Sequence, residues 1–293
     1  MTKRVVALVA VAILLAIAGV VAFTSPPKLL SIIDGVAGGG AGTKRVGTAI
    51  AFGEHGQTLD VWTPGQRTDS PRPVIVFFHG GGWVKGDRDA YAFVGRAFAS
   101  RGFVVVIPDY RKVPEVRFPA FIEDGADAVR WTRENIAQFG GNPDRIALAG
   151  HSAGAHTAVT LALDPRWLSA AGVAPDTVKA VIGLSGPYDF YPFDKKRSID
   201  AMSQWPEPRD TQPIAFARGD APPMLLVTSS KDTVVRPYNT ENLTAKLSEL
   251  DAPVEMENYK GLSHEEVVMA LSKAFRGKGP VLDRSVAFLQ QAM

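Results

Sequence analysis

A serine hydroxyl is a poor nucleophile near neutral pH unless a base takes its proton and an acid orients that base. One serine in this chain stands where such help is useful. Gly150-His151-Ser152-Ala153-Gly154 falls between an apolar run, Arg145 to Ala149, and a small-residue helical stretch beginning at Ala153. G-x-S-x-G in that setting predicts a strand, a sharp reversal and a helix, with Ser152 at the apex. Side chains at the flanks of so tight a turn would collide, which accounts for Gly150 and Gly154. The reversal holds the hydroxyl out beside the positive end of the new helix.

The base must come from elsewhere. His264 is the one histidine well downstream of Ser152 and outside its helix, and it follows a strand and the turn Lys260-Gly261-Leu262-Ser263. Where a G-x-S-x-G elbow stands on a parallel sheet in a hydrolase, the chain order is nucleophile, acid, base, so the acid belongs just beyond the preceding strand. Met224–Thr228 is that strand, and Ser229-Ser230-Lys231-Asp232 follows it, making Asp232 the expected acid. Asp189, after the strand before, is the competing acid. A third component is Phe77-Phe78-His79-Gly80-Gly81-Gly82-Trp83, a strand end with three glycines. Its bare backbone amides suit a developing oxyanion, and Gly81, Gly82 and Ala153 are the expected donors. The plainer readings are a solvated histidine at a helix start, an aspartate capping the helix near Pro237, and a glycine turn. The combination of all three features argues against them.

These residues need a sheet to position them. Val46–Phe52 and Thr58–Thr63 read as a hairpin. Val74–Phe78, Phe103–Ile107, Arg145–Ala149, Val178–Leu184, Met224–Thr228 and Val254–Tyr259 read as further strands, several of them continuous apolar runs expected of strands buried on both faces. Helical patterns at Tyr91–Ser100, Pro119–Phe139, Tyr238–Leu250, His264–Phe275 and Val281–Gln291 alternate with them. The expectation is an α/β fold with a mostly parallel central sheet flanked by helices. Residues 186–221 are aromatic, proline-rich and without strong period, and are expected to form a small cap.

The chain has 293 residues, 46% hydrophobic and 21% charged, enough for one large α/β domain. A net charge of +2 without long basic runs gives no sign of a nucleic-acid partner. The absence of cysteine excludes thiol nucleophiles, disulfides and Fe–S clusters. The five histidines show no metal-ligand spacing, and no cofactor is implied. Lys3-Arg4 precede an uncharged apolar run from Val5 to Phe23, 19 residues long and just able to cross a hydrocarbon core as a helix. An uncleaved membrane anchor in residues 1–25 fits that length better than a signal peptide cleaved after Ala16-Ile17-Ala18. Either way the rest of the chain is expected on the far side of the membrane, periplasmic or extracellular, or secreted after cleavage. Residues 26–45, with their glycine cluster, read as a flexible linker, since no Gly-Lys-Ser/Thr closes a phosphate loop. Residues 46–293 form the expected catalytic domain.

Together His79–Trp83, Asp109-Tyr110-Arg111-Lys112-Val113-Pro114-Glu115, Phe118-Pro119-Ala120 and Gly150–Gly154 resemble the α/β-hydrolase fold. Within it they look like the hormone-sensitive-lipase-like and bacterial feruloyl-esterase-like carboxylesterases, from Val46 to the C-terminus. The resemblance implies a Ser152 nucleophile, a His264 base, an Asp232 acid, oxyanion amides from His79–Gly82 and Ala153, and small esters as substrates. It also implies that Asp109–Glu115 supports the glycine loop. Two departures stand out. Ser229-Ser230 replace a His-Gly pair common in relatives, and the membrane segment and linker take the place of an N-terminal helical cap, which favours the feruloyl-esterase-like branch. Alternative expectations are a formamidase-type amidase, a carbohydrate acetyl esterase with Trp83, Tyr188 and Trp205 as a sugar platform, and an inert hydrolase-fold binding protein.

Overall fold

A computed structural model describes residues 24–66, 68 and 70–293. The apolar run expected to be a membrane anchor, 5–23, lies outside them. Among the described residues no helix is long and apolar enough to cross a membrane.

Among the described residues eight strands make one sheet: β1 Thr43–Phe52, β2 Gln57–Pro64, β3 Arg72–Phe78, β4 Val104–Pro108, β5 Gly141–His151, β6 Val178–Leu184, β7 Met224–Thr228 and β8 Val254–Asn258. Their spatial order is β1-β2-β4-β3-β5-β6-β7-β8. The β1–β2 hairpin and the β2–β4 pair are antiparallel, and every later neighbour is parallel. The continuous apolar runs are explained by burial on both faces. Val74, Val76 and Phe78 of β3 enter one core layer, while Ile75 and Phe77 enter the other. Val104 and Val106 of β4 divide from Val105 and Ile107 in the same way, as the two-residue period of a strand demands.

Helices cover both faces. They include α1 Pro26–Val36, α2 Ala92–Ala99, α3 Ala120–Asn135, α4 Ala153–Leu163, α5 Pro165–Ala170, α6 Lys196–Met202, α7 Tyr238–Glu249, α8 His264–Met269 and α9 Val281–Ala292. The helix expected over His264–Phe275 is thus shorter. The Ser272 hydroxyl donates to the Met269 carbonyl, and the Lys273 amide leaves the helical pattern to donate to Asp34.

That Asp34 contact corrects the linker expectation for residues 26–45. The segment begins with prolines in the first helical turn, where a missing N–H costs nothing, and continues as α1. Leu30 is buried. Ser31 donates to the Ala90 carbonyl at 2.8 Å, and the Phe93 amide donates back to Ser31. The carboxylate of Asp34, only 1% exposed, takes the Arg96 guanidinium at 2.7 Å and the Lys273 amide at 2.7 Å. A buried charge so paired fixes the helix to the domain. The glycines beyond it form turns, and β1 already begins at Thr43. The described domain therefore includes this N-terminal helix, packed against the 3₁₀ turn Asp89–Tyr91 and α2.

Residues 186–221 carry α6 and the 3₁₀ turns Pro208–Thr211 and Pro213–Phe216. The segment is tied down mainly through backbone groups. Asn239 Oδ1 accepts from the amides of Tyr188 and Asp189, Gln212 Oε1 from that of Phe190, and the Ala201 carbonyl from that of Phe118.

Candidate active site

The reversal after β5 gives Ser152 a φ of +56° and ψ of −122°, a backbone conformation that costs a non-glycine residue of order 1–3 kcal/mol. The flanking glycines are obligatory on steric grounds. A Cβ on Gly150 would stand 2.2 Å from the Gly154 carbonyl oxygen, and one on Gly154 would stand 2.0 Å from that of Phe78. The Ser152 amide is donated to the Leu184 carbonyl of β6 at 2.8 Å, which pins the turn to the next strand.

Ser152 Oγ lies 2.9 Å from His264 Nε2, and His264 Nδ1 lies 2.7 Å from Asp232 Oδ2. Their side chains are all buried, with Asp232 2% and His264 5% exposed. Asp232 follows β7, and its other oxygen accepts the amides of Val234 and Val235 at 2.9 and 2.8 Å. The carboxylate is thereby fixed from two directions. His264 begins α8 behind a full capping box, in which Ser263 and Glu266 exchange side-chain and backbone hydrogen bonds. Asp189, the competing acid, instead accepts from Asn242 at 2.7 Å.

Ser229, where relatives were expected to have histidine, is fully buried and bridges β7 to the base-bearing loop. Its hydroxyl lies within hydrogen-bond reach of the carbonyls of Tyr259 and Leu262. A small hydroxyl suffices to lock that loop from below.

Gly81 and Gly82 have φ of +136° and +62° beside Ser152. A Cβ on Gly81 would run into the Lys85 carbonyl at 1.9 Å. Among the described residues, the amides of Gly81, Gly82 and Ala153 have no backbone acceptor, so all three remain available to a substrate oxygen. The loop is braced from behind by the segment expected to support it. Tyr110 stacks on His79 with ring centres 4.3 Å apart and donates to the His79 carbonyl at 2.8 Å. The Val113 amide donates to Trp83 O at 2.9 Å. Burial raises the Asp109 carboxyl, but His79 and the Arg88 guanidinium outweigh that and hold it at about 2.

His151 is the neighbour whose part was not foreseen. Buried between Tyr91 and His264, it has Nδ1 3.1 Å from the Tyr91 hydroxyl and Nε2 3.1 Å from the His264 carbonyl. Burial, with the nearby His264, pushes its imidazole well below the ordinary value, so it stays neutral. As the variable position of G-x-S-x-G, it carried no signal in the sequence. Trp83 and Tyr188, two rings of the alternative sugar platform, are core residues, 3% and 0% exposed, in line with the plainer reading of them as packing. Trp205 packs edge-on against Phe118, with centres 5.1 Å apart.

A strained serine over a mostly parallel sheet, with a histidine and an aspartate from two later strand ends, defines the α/β-hydrolase class. Comparison narrows this. Residues 59–247 match the family described as BD-FAE, and the chain belongs to that family. It is 36% identical over 206 residues to Esterase LipC of Mycobacterium tuberculosis, covering 64% of this chain and 51% of that protein. It is 28% identical over 251 residues to the isoprenylcysteine alpha-carbonyl methylesterase ICME of Arabidopsis thaliana, covering 78% and 58%. The chain thus spans a little over half the length of these relatives. In fold it is similar to a Pyrobaculum calidifontis esterase, with a TM-score of 0.71 and 22% identity over 90% of this chain and 91% of that one. A truncated carbohydrate esterase from gut microbiota gives 0.69 and 21%, covering 85% and 95%.

Proposed function

We propose that this protein is a serine carboxylesterase acting on small esters through an acyl-enzyme. The observation that carries the proposal is the unbroken contact line from Ser152 through His264 to Asp232. Ser152 Oγ attacks the ester carbonyl carbon as its proton passes to His264 Nε2. Asp232 accepts from Nδ1–H, fixing the tautomer and stabilising the imidazolium. The tetrahedral oxyanion is held by the amides of Gly81, Gly82 and Ala153. The C–O bond to the alcohol breaks, and the alkoxide leaves with the proton from Nε2. Water then gives a proton to Nε2, attacks the acyl-enzyme and releases the carboxylic acid, restoring Ser152.

Membership of a family whose relatives include named esterases supports an ester rather than a formamide as substrate. The test is hydrolysis of p-nitrophenyl acetate together with fluorophosphonate labelling. Both are expected in the unaltered chain and neither in Ser152→Ala; near-normal hydrolysis by Ser152→Ala would refute the assignment.

The apolar run Val5–Phe23 behind Lys3-Arg4 further supports an exported domain tethered to the membrane. Resistance to alkaline extraction and digestion by external protease are the expected results. Extraction into the soluble fraction would remove the tether, and protection from the protease would remove the export.

A further inference from the structure

Ser152 borders two recesses of different character. The smaller, about 70 Å³, lies between Trp83, Ala153, Phe190 and Val235 under the cap. The larger, about 300 Å³, contains both Ser152 and His264 and runs past Gly81 and Tyr91 to Ser25 and Pro26. At its far end it borders a further chamber of about 280 Å³, with Pro26, Pro27, Tyr91, His151 and Glu265 lining both. That size is close to the lower end of ordinary small-molecule sites, about 300–1,000 Å³.

The chamber is walled by α1 and α8. Leu29, Leu30 and Ile33 face Val268, Met269 and Phe275 across it, giving a lining that is almost wholly hydrocarbon. The two polar rings at the junction do not compete for a ligand. Tyr91 and His151 satisfy one another, and His151 Nε2 is engaged by the His264 carbonyl. Glu265, exposed at the same rim, disfavours an anionic guest.

The chemistry decides which half of an ester goes where. His264 Nε2 must hand its proton to the leaving oxygen, so the alcohol departs on the side of the recess that contains His264. That recess borders the chamber, and the smaller one is left for the acyl group. We propose that the chamber between α1 and α8 binds the hydrocarbon of the leaving alcohol, making the preferred substrates short-acyl esters of aliphatic alcohols. The assignment rests on the serine-esterase reading above. It gives residues 26–36 a role in selectivity that a tether does not require.

The experiment uses the full chain and two series: acetates of ethanol, butanol and hexanol, and ethyl esters of acetic, butyric and hexanoic acid. The kcat/KM is expected to rise along the alcohol series, by up to ~4-fold per buried methylene, and to fall along the acyl series. Leu29→Trp fills the chamber and is expected to lower the hexyl-to-ethyl acetate ratio at least ~10-fold, while the ratio along the acyl series holds. If Leu29→Trp fails to fold, Ile33→Trp, at a 42% exposed position on the same wall, carries the measurement. A rise along the acyl series instead, or an unchanged hexyl-to-ethyl ratio in the folded variant, overturns the proposal. If no ester is turned over and Ser152 resists fluorophosphonate, the esterase reading fails separately. The chamber is then judged by titrating 1-hexanol into the full chain. Saturable binding weakened by Leu29→Trp retains it as an apolar site, and no binding removes it.

Discussion

Along the strand ends, Ser152, Asp232 and His264 are each fixed by at least two hydrogen bonds, and Gly150 and Gly154 leave no room for a methyl group. Over them lies the Gly186–Ala221 segment, made of one short helix, two 3₁₀ turns and clustered aromatic rings. It is attached through the side-chain acceptor Asn239 and braced internally by Gln212 rather than held by a ladder. The first region tolerates almost no displacement, as the proposed proton transfers over one hydrogen-bond length would require. The second needs only to exclude water and present surface, so its chain follows the packing of rings. Under the proposed function, chemistry falls to the rigid rim, while the irregular cover shapes the recess proposed for the acyl group and α1 the chamber proposed for the alcohol.

The sharpest way to break that division is at Ser152. Ser152→Ala is expected to lower kcat by about 10⁶-fold with ester binding retained. Because alanine keeps a Cβ, the φ of +56° stays strained in that variant. Ser152→Gly should therefore unfold at higher denaturant than Ser152→Ala by about 1–2 kcal/mol. Equal stability of the two would show that the elbow stores no strain.

Asp232→Asn keeps the shape but disturbs the imidazole tautomer, and a kcat loss of about 10⁴-fold is expected with little change in KM. A loss mainly in KM would instead move Asp232 from the chemistry to substrate binding.

Steric tightness can be tested without chemistry. Gly154→Ala, which would press a methyl to 2.0 Å from the Phe78 carbonyl, should cost at least ~3 kcal/mol in urea unfolding. Gly140→Ala, at a φ of +80° with nothing within 4 Å, should cost only about 1–2 kcal/mol. If both cost the same, the elbow is looser than its geometry implies.

His156 joins the two regions, since Nε2 of this α4 residue lies 2.8 Å from the Thr211 carbonyl of the cap. Burial lowers its imidazole from 6.5 to about 4. The unfolded chain therefore takes up this proton at higher pH than the folded one. The associated stability is full above pH ~6.5, declines as the pH falls, and is gone below about 4, amounting to roughly 3 kcal/mol. His156→Gln retains a donor and should flatten the stability profile between pH 6.5 and 4. An unaltered profile would place the acid sensitivity elsewhere. Smallest of all, Phe190→Ala in the cover should raise KM about three- to tenfold and spare kcat. A kcat loss as large as that of Asp232→Asn would erase the distinction between rim and cover.

Much was legible before any coordinates. The strands and their parallel order followed from apolar runs between helical periods, because burial on both faces leaves no room for alternation in β3 and β4. The elbow followed from its glycines, and Asp232 and His264 from where loops must fall after parallel strands. Helix α1 was missed because the glycines at 35–42 outweighed the proline start and apolar spacing of 26–36. What holds that helix is a pairing of Asp34 with Arg96, 62 positions away, and with the Lys273 amide, 239 away. The cover was equally opaque, since its rings find partners such as Phe118 far along the chain.

The sequence by itself determined which chemistry was available, because local sterics and the two-residue strand period act between neighbours and leave their mark in spacing. Only the tertiary structure decided that Ser152, His264 and Asp232 meet, that His151 stands neutral behind them, and that α1 walls an apolar chamber beyond the recess that holds Ser152. Those outcomes depend on contacts between distant segments, whose energies arise from packing and desolvation and write no period into the chain.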